Sequence, residues 1–155
     1  MPFLKEQFTV SCSVDPAIEV GCNLSGEGRR RLIVIPGGTV TGIDNNNGKL
    51  LPGGIDSQII RPNGKADISA RYGVAFDDGT SIYIQNDGIR TVPPEDVQTV
   101  VNGGFVDPSH YYFVTAPKIE VYDKSREWMA NRMWICVGIR KPETVDITYY
   151  TVELY

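Results

Sequence analysis

The stretch Ala66-Asp67-Ile68-Ser69-Ala70-Arg71-Tyr72-Gly73-Val74-Ala75-Phe76 predicts the fold class of this 155-residue chain. Apolar side chains occupy its even positions and mostly polar or small ones its odd positions, which is the two-residue period of a β-strand. The turn sequence Asp77-Asp78-Gly79-Thr80 follows and predicts a tight hairpin. Residues 81–86 then predict the returning antiparallel strand.

Shorter strands and turns recur along the rest of the chain. Asp87-Gly88 predicts a second turn, and two short helices are predicted at 93–101 and 125–131. This regular alternation of strands and turns predicts a mainly β fold, either a closed barrel or a sandwich. We favour a single antiparallel β-barrel of about nine strands with one or two short helices, forming one domain over residues 1–155. The further predicted strands are 8–14, 31–36, 57–61, 111–115, 118–122, 133–140 and 145–154, and residues 38–42 continue or follow the strand at 31–36.

Charge and hydropathy exclude several classes of protein. The net charge is −4, and the cluster Arg29-Arg30-Arg31 is too small for the dense basic surface that nucleic-acid binding needs. We interpret it as the solvated start of a strand, with contact to an anion or phosphate as the alternative. No apolar run approaches the roughly 20 residues of a bilayer span, and residues 1–8 lack an apolar signal segment. The sequence therefore predicts a cytoplasmic protein that binds neither nucleic acid nor membrane.

The residues that usually hold cofactors are scarce. Cys12, Cys22 and Cys136 are odd in number and have no metal-like spacing. His110 is the only histidine, which excludes histidine-rich metal sites and, unless His110 is itself the base, Ser-His-Asp chemistry. We interpret His110 as a loop residue. No glycine-rich nucleotide loop of standard spacing occurs, so we expect neither a metal nor a nucleotide cofactor.

Several ordered segments together resemble one family, domain of unknown function 3237 (DUF3237), also called uncharacterised protein family 0311. The resemblance covers nearly the whole chain after Gly28 and implies a small β-barrel without an established reaction. The family pattern has an aromatic residue after the aspartate of its Gly-Gly-Ala-Asp segment, whereas Ser57 follows Asp56 here, which predicts a wider or more polar pocket. The segments are Leu32-Ile33-Val34-Ile35-Pro36-Gly37-Gly38-Thr39, Leu51-Pro52-Gly53-Gly54-Ile55-Asp56, Ala66-Asp67-Ile68-Ser69-Ala70-Arg71-Tyr72, residues 78–90 and Tyr111-Tyr112-Phe113-Val114-Thr115-Ala116-Pro117.

A small barrel either packs solid or encloses one small ligand, so polar residues on an inward face are candidate functional groups. We predict that Arg71, together with Asp67, points into the lumen, with a surface position as the alternative. Asp56 and Glu120 are the candidate bases, with a turn cap and a solvent-facing position as their respective alternatives. Arg90 carries a planar guanidinium that suits contact with an anionic or carbonyl oxygen. The candidate catalytic residues are therefore Asp56, Arg71, Arg90 and Glu120.

The candidate substrate-binding residues supply aromatic walls and one amide, each with a core or turn role as the alternative. They are Tyr72, Tyr83, Asn86, Tyr112 and Trp128.

Two functions from different classes fit these residues. The first is a cofactor-free isomerase, cyclase or dehydratase of the kind found in secondary-metabolite biosynthesis, acting next to the carbonyl of an apolar or aromatic small molecule. A carboxylate would take a proton, an arginine would stabilise the oxyanion, and a tyrosine would serve as acid. The second is a non-catalytic barrel that binds a small ligand, and a third possibility is a solidly packed scaffold. The sequence leaves the oligomeric state open, a homo-oligomer included.

Overall fold

Eleven β-strands in one antiparallel sheet make up most of the protein, and the computed structural model describes every residue from Met1 to Tyr155. Two short helices, α1 (Val97–Val101) and α2 (Glu127–Ala130), each continue from a 3₁₀ turn, and a third such turn lies at Pro108–His110. None of the helices has the length and apolar character needed to cross a membrane. The strands are β1 (Phe3–Ser13), β2 (Ile18–Cys22), β3 (Arg29–Ile35), β4 (Gly37–Gly42), β5 (Gly48–Leu50), β6 (Gly54–Ile60), β7 (Ala66–Phe76), β8 (Ser81–Thr91), β9 (Tyr112–Val121), β10 (Trp134–Arg140) and β11 (Thr144–Glu153).

The sheet closes on itself into an eight-strand barrel. The closed ring follows the order β1, β4, β5, β7, β8, β9, β10 and β11, and β11 pairs again with β1. Strand β6 pairs with the first half of β7, while β3 pairs with β6 and carries β2 at its outer edge. These extra strands lengthen the wall at one end. The predicted fold class, a mainly β antiparallel barrel with two short helices, is confirmed.

Strand β7 shows which face of the alternation points inward. Its even-numbered apolar residues, from Ala66 to Phe76, are buried, and its odd-numbered residues are only partly covered. The apolar face must line the inside, because the core of a barrel lies on the concave side of the sheet. Arg71 therefore lies on the outer face, where its Nη1 is 3.0 Å from Oδ1 of Asp87, and Asp67 on the same face pairs with Arg61. The prediction that Arg71 and Asp67 point into the lumen is wrong.

The prediction of a turn at Asp87-Gly88 is also wrong, because β8 continues through these residues to Thr91. A side chain at Gly88 would place its Cβ 2.3 Å from the carbonyl oxygen of Val114, so the glycine permits the close approach of β9. The two strands predicted on either side of Pro117 form the single strand β9. Strands β2 and β5 are additional, since neither shows a clear alternation in the sequence.

One end of the barrel is filled by aromatic side chains. The rings of Phe8 and Tyr149 stack with centroids 4.6 Å apart, and the Trp134 ring lies 5.8 Å from that of Phe8. The segment leading into α2 covers this end and inserts the buried side chain of Arg126. The opposite end, where β3 and β6 extend the wall, is not filled in this way and holds the site described next.

Candidate functional site

A small cavity of about 40 Å³ lies inside the open end of the barrel. It has room for about three water molecules. Hydrophobic residues make up 10 of its 16 lining residues. The other six are polar and come from several strands: Asp56, Gln58, Asn86, Arg90, Thr115 and Arg140. Tyr72, one of the ten, adds a hydroxyl group.

A larger open vestibule of about 720 Å³ adjoins this inner cavity. Val14, Ile33 and Arg140 line both spaces, and Arg31 lines the vestibule. Small-molecule sites typically occupy 300–1,000 Å³. The two spaces together therefore suit a small molecule whose body lies in the vestibule and whose polar end enters the inner cavity.

Asp56 lies where the ladder between β6 and β7 is interrupted. These strands pair at Asp56 with Ala70 and again at Ile59 with Asp67, but not between. In the gap, Oδ1 of Asp56 accepts a hydrogen bond of 2.9 Å from the backbone N–H of Ser69. Its Oδ2 accepts one of 2.8 Å from Nε2 of Gln58. The carboxylate thus replaces a backbone acceptor and is held in one orientation.

Burial changes the acidity of Asp56, whose residue is 8% exposed. Loss of solvation raises the pKa of its carboxyl group, and this effect outweighs the hydrogen bonds from Ser69 and Gln58 and the positive charge of Arg90. A raised pKa brings a carboxylate closer to the basicity needed for proton transfer near neutral pH.

Arg90 occupies the inward face of β8 and is 4% exposed. Burial, followed by the positive charge of Arg140, lowers the pKa of its guanidinium to about 10, so the group stays charged at neutral pH. The guanidinium carbon lies 5.9 Å from the ring centroid of Phe113. The guanidinium of Arg90 forms no hydrogen bond or ion pair with another protein group, Asp56 included. Its N–H donors are therefore available to a ligand in the cavity.

A chain of polar groups leads from the aromatic core to the cavity through Asn86, Tyr149 and Tyr72. Nδ2 of Asn86 donates a 3.4 Å hydrogen bond to the hydroxyl of Tyr149, which is in short contact with the hydroxyl of Tyr72. Burial raises the pKa of both tyrosines well above the ordinary value. Either hydroxyl can donate in this contact. When Tyr149 donates to Tyr72, the Tyr72 proton is free for a ligand.

Three buried polar atoms in the cavity wall have no hydrogen-bond partner. They are Oε1 of Gln58, Oδ1 of Asn86 and Oγ1 of Thr115. An unpaired buried polar group costs about 1–3 kcal/mol, so such atoms are uncommon in a solid core. The amide oxygens of Gln58 and Asn86 are acceptors, whereas Arg90 and Tyr72 offer donors. The wall is therefore complementary to a ligand that carries both a hydroxyl or N–H group and a carbonyl or anionic oxygen.

Four of the nine residues proposed from the sequence line this cavity, namely Asp56, Arg90, Tyr72 and Asn86. The other five lie elsewhere, because four of them face outward from their strands and Trp128 lies in helix α2. Glu120 is exposed and accepts a hydrogen bond from the hydroxyl of Tyr122, so its predicted lumen position is wrong. Arg71 also lies outside the cavity, in its ion pair with Asp87, and Tyr83 is half-buried on the outer face. Tyr112 is 54% exposed, and Trp128 packs against Trp134 at the filled end of the barrel.

Two other expectations concern residues at the edge of the site. Ser57 faces outward and contacts Nη1 of Arg30 through its hydroxyl, so the missing aromatic residue there does not reshape the cavity directly. His110 is exposed, with Nδ1 4.0 Å from Oδ2 of Asp96, and does not line the inner cavity.

The sequence interpretation missed Gln58, Thr115, Tyr149 and Arg140. A signal for the first was present, because Gln58 follows Asp56 at the two-residue spacing that puts both side chains on one face. No group of three or more His, Cys, Asp or Glu side chains comes together in the structure. The protein therefore offers the cavity donors and acceptors and one carboxylate, without a recognisable set of metal ligands.

Comparisons with known proteins identify relatives over the whole chain. A family described as "Protein of unknown function (DUF3237)" matches residues 2–152. A UPF0311 protein of Clostridium acetobutylicum is 49% identical over 149 residues, covering 96% of this chain and 93% of the relative.

Solved structures share the fold as well. A "beta-barrel like protein" from Acinetobacter baumannii superposes with a TM-score of 0.85 at 31% identity, covering 99% of this chain and 97% of the other. An enzyme from Penicillium herquei superposes with a TM-score of 0.67 at 15% identity, covering 98% and 95%. The last similarity is in fold alone.

Proposed function

The chain belongs to the DUF3237 family, and from that premise we propose that it is a cofactor-independent enzyme that moves a proton next to the carbonyl group of a small molecule. Isomerisation, cyclisation and β-elimination all begin with such a step, and a cytoplasmic role in secondary-metabolite biosynthesis would use it. One observation carries the proposal. The buried carboxylate of Asp56 and the buried, unpaired guanidinium of Arg90 line the same cavity without forming an ion pair.

Each group has a distinct part in the proposed step. Asp56 takes a proton from the carbon next to the carbonyl, and the electron pair of that C–H bond moves onto the carbonyl oxygen. Arg90 donates N–H groups to the developing oxyanion, which a charged donor in a water-poor cavity stabilises strongly. Tyr72 keeps its proton because its pKa is raised, and its hydroxyl donates a hydrogen bond to the substrate. The protonated Asp56 then delivers the proton to another atom of the substrate, which restores the carboxylate.

The experiment that tests the proposal is deuterium uptake from D₂O into acetophenone and α-tetralone, followed by proton NMR. The protons next to these carbonyls exchange slowly without a catalyst. We expect the purified protein to accelerate exchange well above the rate given by free glutamate at the same concentration. Free glutamate controls for catalysis by a carboxylate in solution. No acceleration with either ketone, at protein concentrations where ligand binding is detected, would favour a non-catalytic ligand-binding barrel instead.

Replacing Arg90 with lysine is expected to lower the exchange rate by about 10²-fold, with a smaller change in KM. Lysine keeps the charge but loses the planar fork that places two donors on one oxygen. The exchange assay checks this against Arg71→Lys, which changes an arginine on the outer face of the neighbouring strand. An equal loss in both variants, or none in Arg90→Lys, would remove the oxyanion role.

Treatment with a metal chelator, or addition of zinc, NAD or flavin, is expected to leave the exchange rate unchanged. The reason is the composition of the wall, which combines one carboxylate with amides, hydroxyls and guanidinium groups. The rate measured before and after dialysis against EDTA checks this. A loss that added metal restores would show that a metal takes part.

A further inference from the structure

Three guanidinium groups gather at the open end of the barrel. Arg90 lines the inner cavity, Arg31 lines the vestibule and Arg140 lines both, so they follow the path into the site. All three lie on the inward faces of their strands, β8, β3 and β10. They are close enough to act on one another, because the charges of Arg140 and Arg31 add to burial in lowering the pKa of Arg90.

These three charges have no carboxylate partner in an ion pair. Arg31 is 5% exposed, donates one hydrogen bond of 3.0 Å from Nη1 to the carbonyl oxygen of Val101, and has a buried Nε without a partner. Arg140 donates only to the backbone carbonyls of Lys141 and Thr144. Burying a charge without an opposite charge is costly, so the site is incomplete as the protein alone builds it.

The acidic groups around this path do not supply the missing charge. Inside the cavity, Asp56 forms no ion pair with these arginines, because its oxygens accept hydrogen bonds from Ser69 and Gln58. Its charge acts on Arg90 and Arg31, but one carboxylate cannot balance three guanidinium groups. The vestibule is also lined by Asp15, Glu19 and Glu143, which are all exposed on its rim. Glu19 is paired with Arg29 at 3.1 Å, and solvent screens charges at such exposed positions. The buried Arg31 and Arg90 and the half-buried Arg140 therefore remain the dominant charges along the path.

We infer that the substrate of this enzyme is anionic and carries a carboxylate or phosphate that binds between Arg31 and Arg140, while its carbonyl oxygen lies against Arg90. Guanidinium groups bind both kinds of oxyanion through paired, charge-assisted hydrogen bonds. The inference rests on the proposed function only in taking the bound anion to be the substrate.

The first test is calorimetric titration with benzoate, phenyl phosphate and benzamide. Benzamide has the shape of benzoate without its charge. At least one of the two anions is expected to bind about tenfold or more tightly than benzamide, and to weaken as salt is added. The tighter anion tells a carboxylate site from a phosphate site. Equal binding of benzamide, or no binding of either anion, would overturn the inference.

The second test compares arginine variants at the two ends of β10. Arg140→Gln is expected to weaken binding of the preferred anion about tenfold, and Arg140→Lys by less. Arg132→Gln is the control, because Arg132 lies just before the opposite end of β10, exposed and 3.4 Å from Glu153. Arg31→Gln repeats the test, with circular dichroism to check that it folds. Unchanged affinity of a folded Arg140→Gln protein for the preferred anion would contradict the inference, regardless of the result with Arg31→Gln.

The third test separates this inference from the proposed function. Deuterium exchange is measured on 4-acetylbenzoate and on its neutral analogue 4-acetylbenzamide. A lower KM for the carboxylate supports both claims. Equal KM values would overturn the anionic substrate and leave proton transfer standing. Tight binding of 4-acetylbenzoate without any exchange would instead overturn the proposed enzyme and leave an anion-binding barrel.

Discussion

Asp56→Asn is expected to lower the rate of catalysed deuterium exchange by about 10²–10⁴-fold while the barrel stays folded. The substitution removes the only carboxylate in the cavity and keeps the size of the side chain. The Asn oxygen can still accept from the Ser69 N–H. Rotation of the Gln58 amide would let its Oε1, unpaired in the present structure, accept from the new amide.

The matched control is Glu120→Gln, which neutralises an exposed carboxylate on the outer face of β9. It is expected to exchange the ketone protons at the wild-type rate. A wild-type rate in Asp56→Asn, or a loss in Glu120→Gln of the same size, would show that Asp56 is not the base.

The same variant is expected to change how stability depends on pH. Asp56 has a higher pKa in the folded protein than in the unfolded chain, so the folded state holds a proton that the unfolded state has already lost. The contribution of Asp56 to stability is therefore full below its unfolded pKa and is lost as the pH rises through its folded pKa. At neutral pH, Asp56→Asn should be more stable than the wild type by about 1 kcal/mol. Urea unfolding at acidic and neutral pH measures this difference, which should vanish in acid.

Arg126→Ala is expected to lower the free energy of unfolding by about 2–3 kcal/mol, because it removes a buried guanidinium together with its hydrogen bonds. The guanidinium donates to Oδ1 of Asn46 at 2.6 Å, to Oδ2 of Asp78 at 3.0 Å and to Oγ1 of Thr80 at 3.0 Å. Its carbon also lies 3.7 Å from the ring centroid of Phe76. Loss of this side chain would leave acceptors unpaired beneath α2 at the filled end of the barrel.

Arg71→Ala provides the comparison for that measurement. Its ion pair with Asp87 lies on the outer face, and exposed pairs contribute at most about 1 kcal/mol. Urea denaturation of both variants should therefore separate them clearly. A loss below about 1 kcal/mol in Arg126→Ala would show that the cluster does not hold the filled end together.

The alternation of β7 predicts a strand but not which of its faces points inward. Both faces of an isolated strand are equivalent, and only closure of the sheet decides that Tyr72 lies inside and Arg71 outside. The prediction of a turn at Asp87-Gly88 was wrong for a related reason. Local composition favours a turn there, whereas the close approach of β9 at Gly88 makes it part of a long strand.

The candidate site was predictable to the extent that single residues have distinctive chemistry. Asp56 was identified as a carboxylate between two glycines and a strand, and Arg90 as a planar guanidinium that suits an oxygen ligand. Thr115 and Tyr149 carry no such signal, since each resembles an ordinary strand residue until the barrel brings it to the cavity or to Tyr72. Arg140 likewise becomes a candidate binding residue only in the folded barrel, where it lines the same spaces as Arg90 of β8 and Arg31 of β3.

The most direct test of proton transfer by Asp56 is one pH series, from about pH 3 to pH 9, on protein labelled with ¹³C at aspartate carboxyl carbons. The exchange rate of α-tetralone and the Asp56 carboxyl shift are recorded in the same samples, with Asp56→Asn identifying the signal. The account predicts that Asp56 titrates above the ordinary aspartate range and that the rate rises with pH through the same midpoint. A rate that is insensitive to pH across the Asp56 titration, or an Asp56 midpoint at or below the ordinary value, would contradict it.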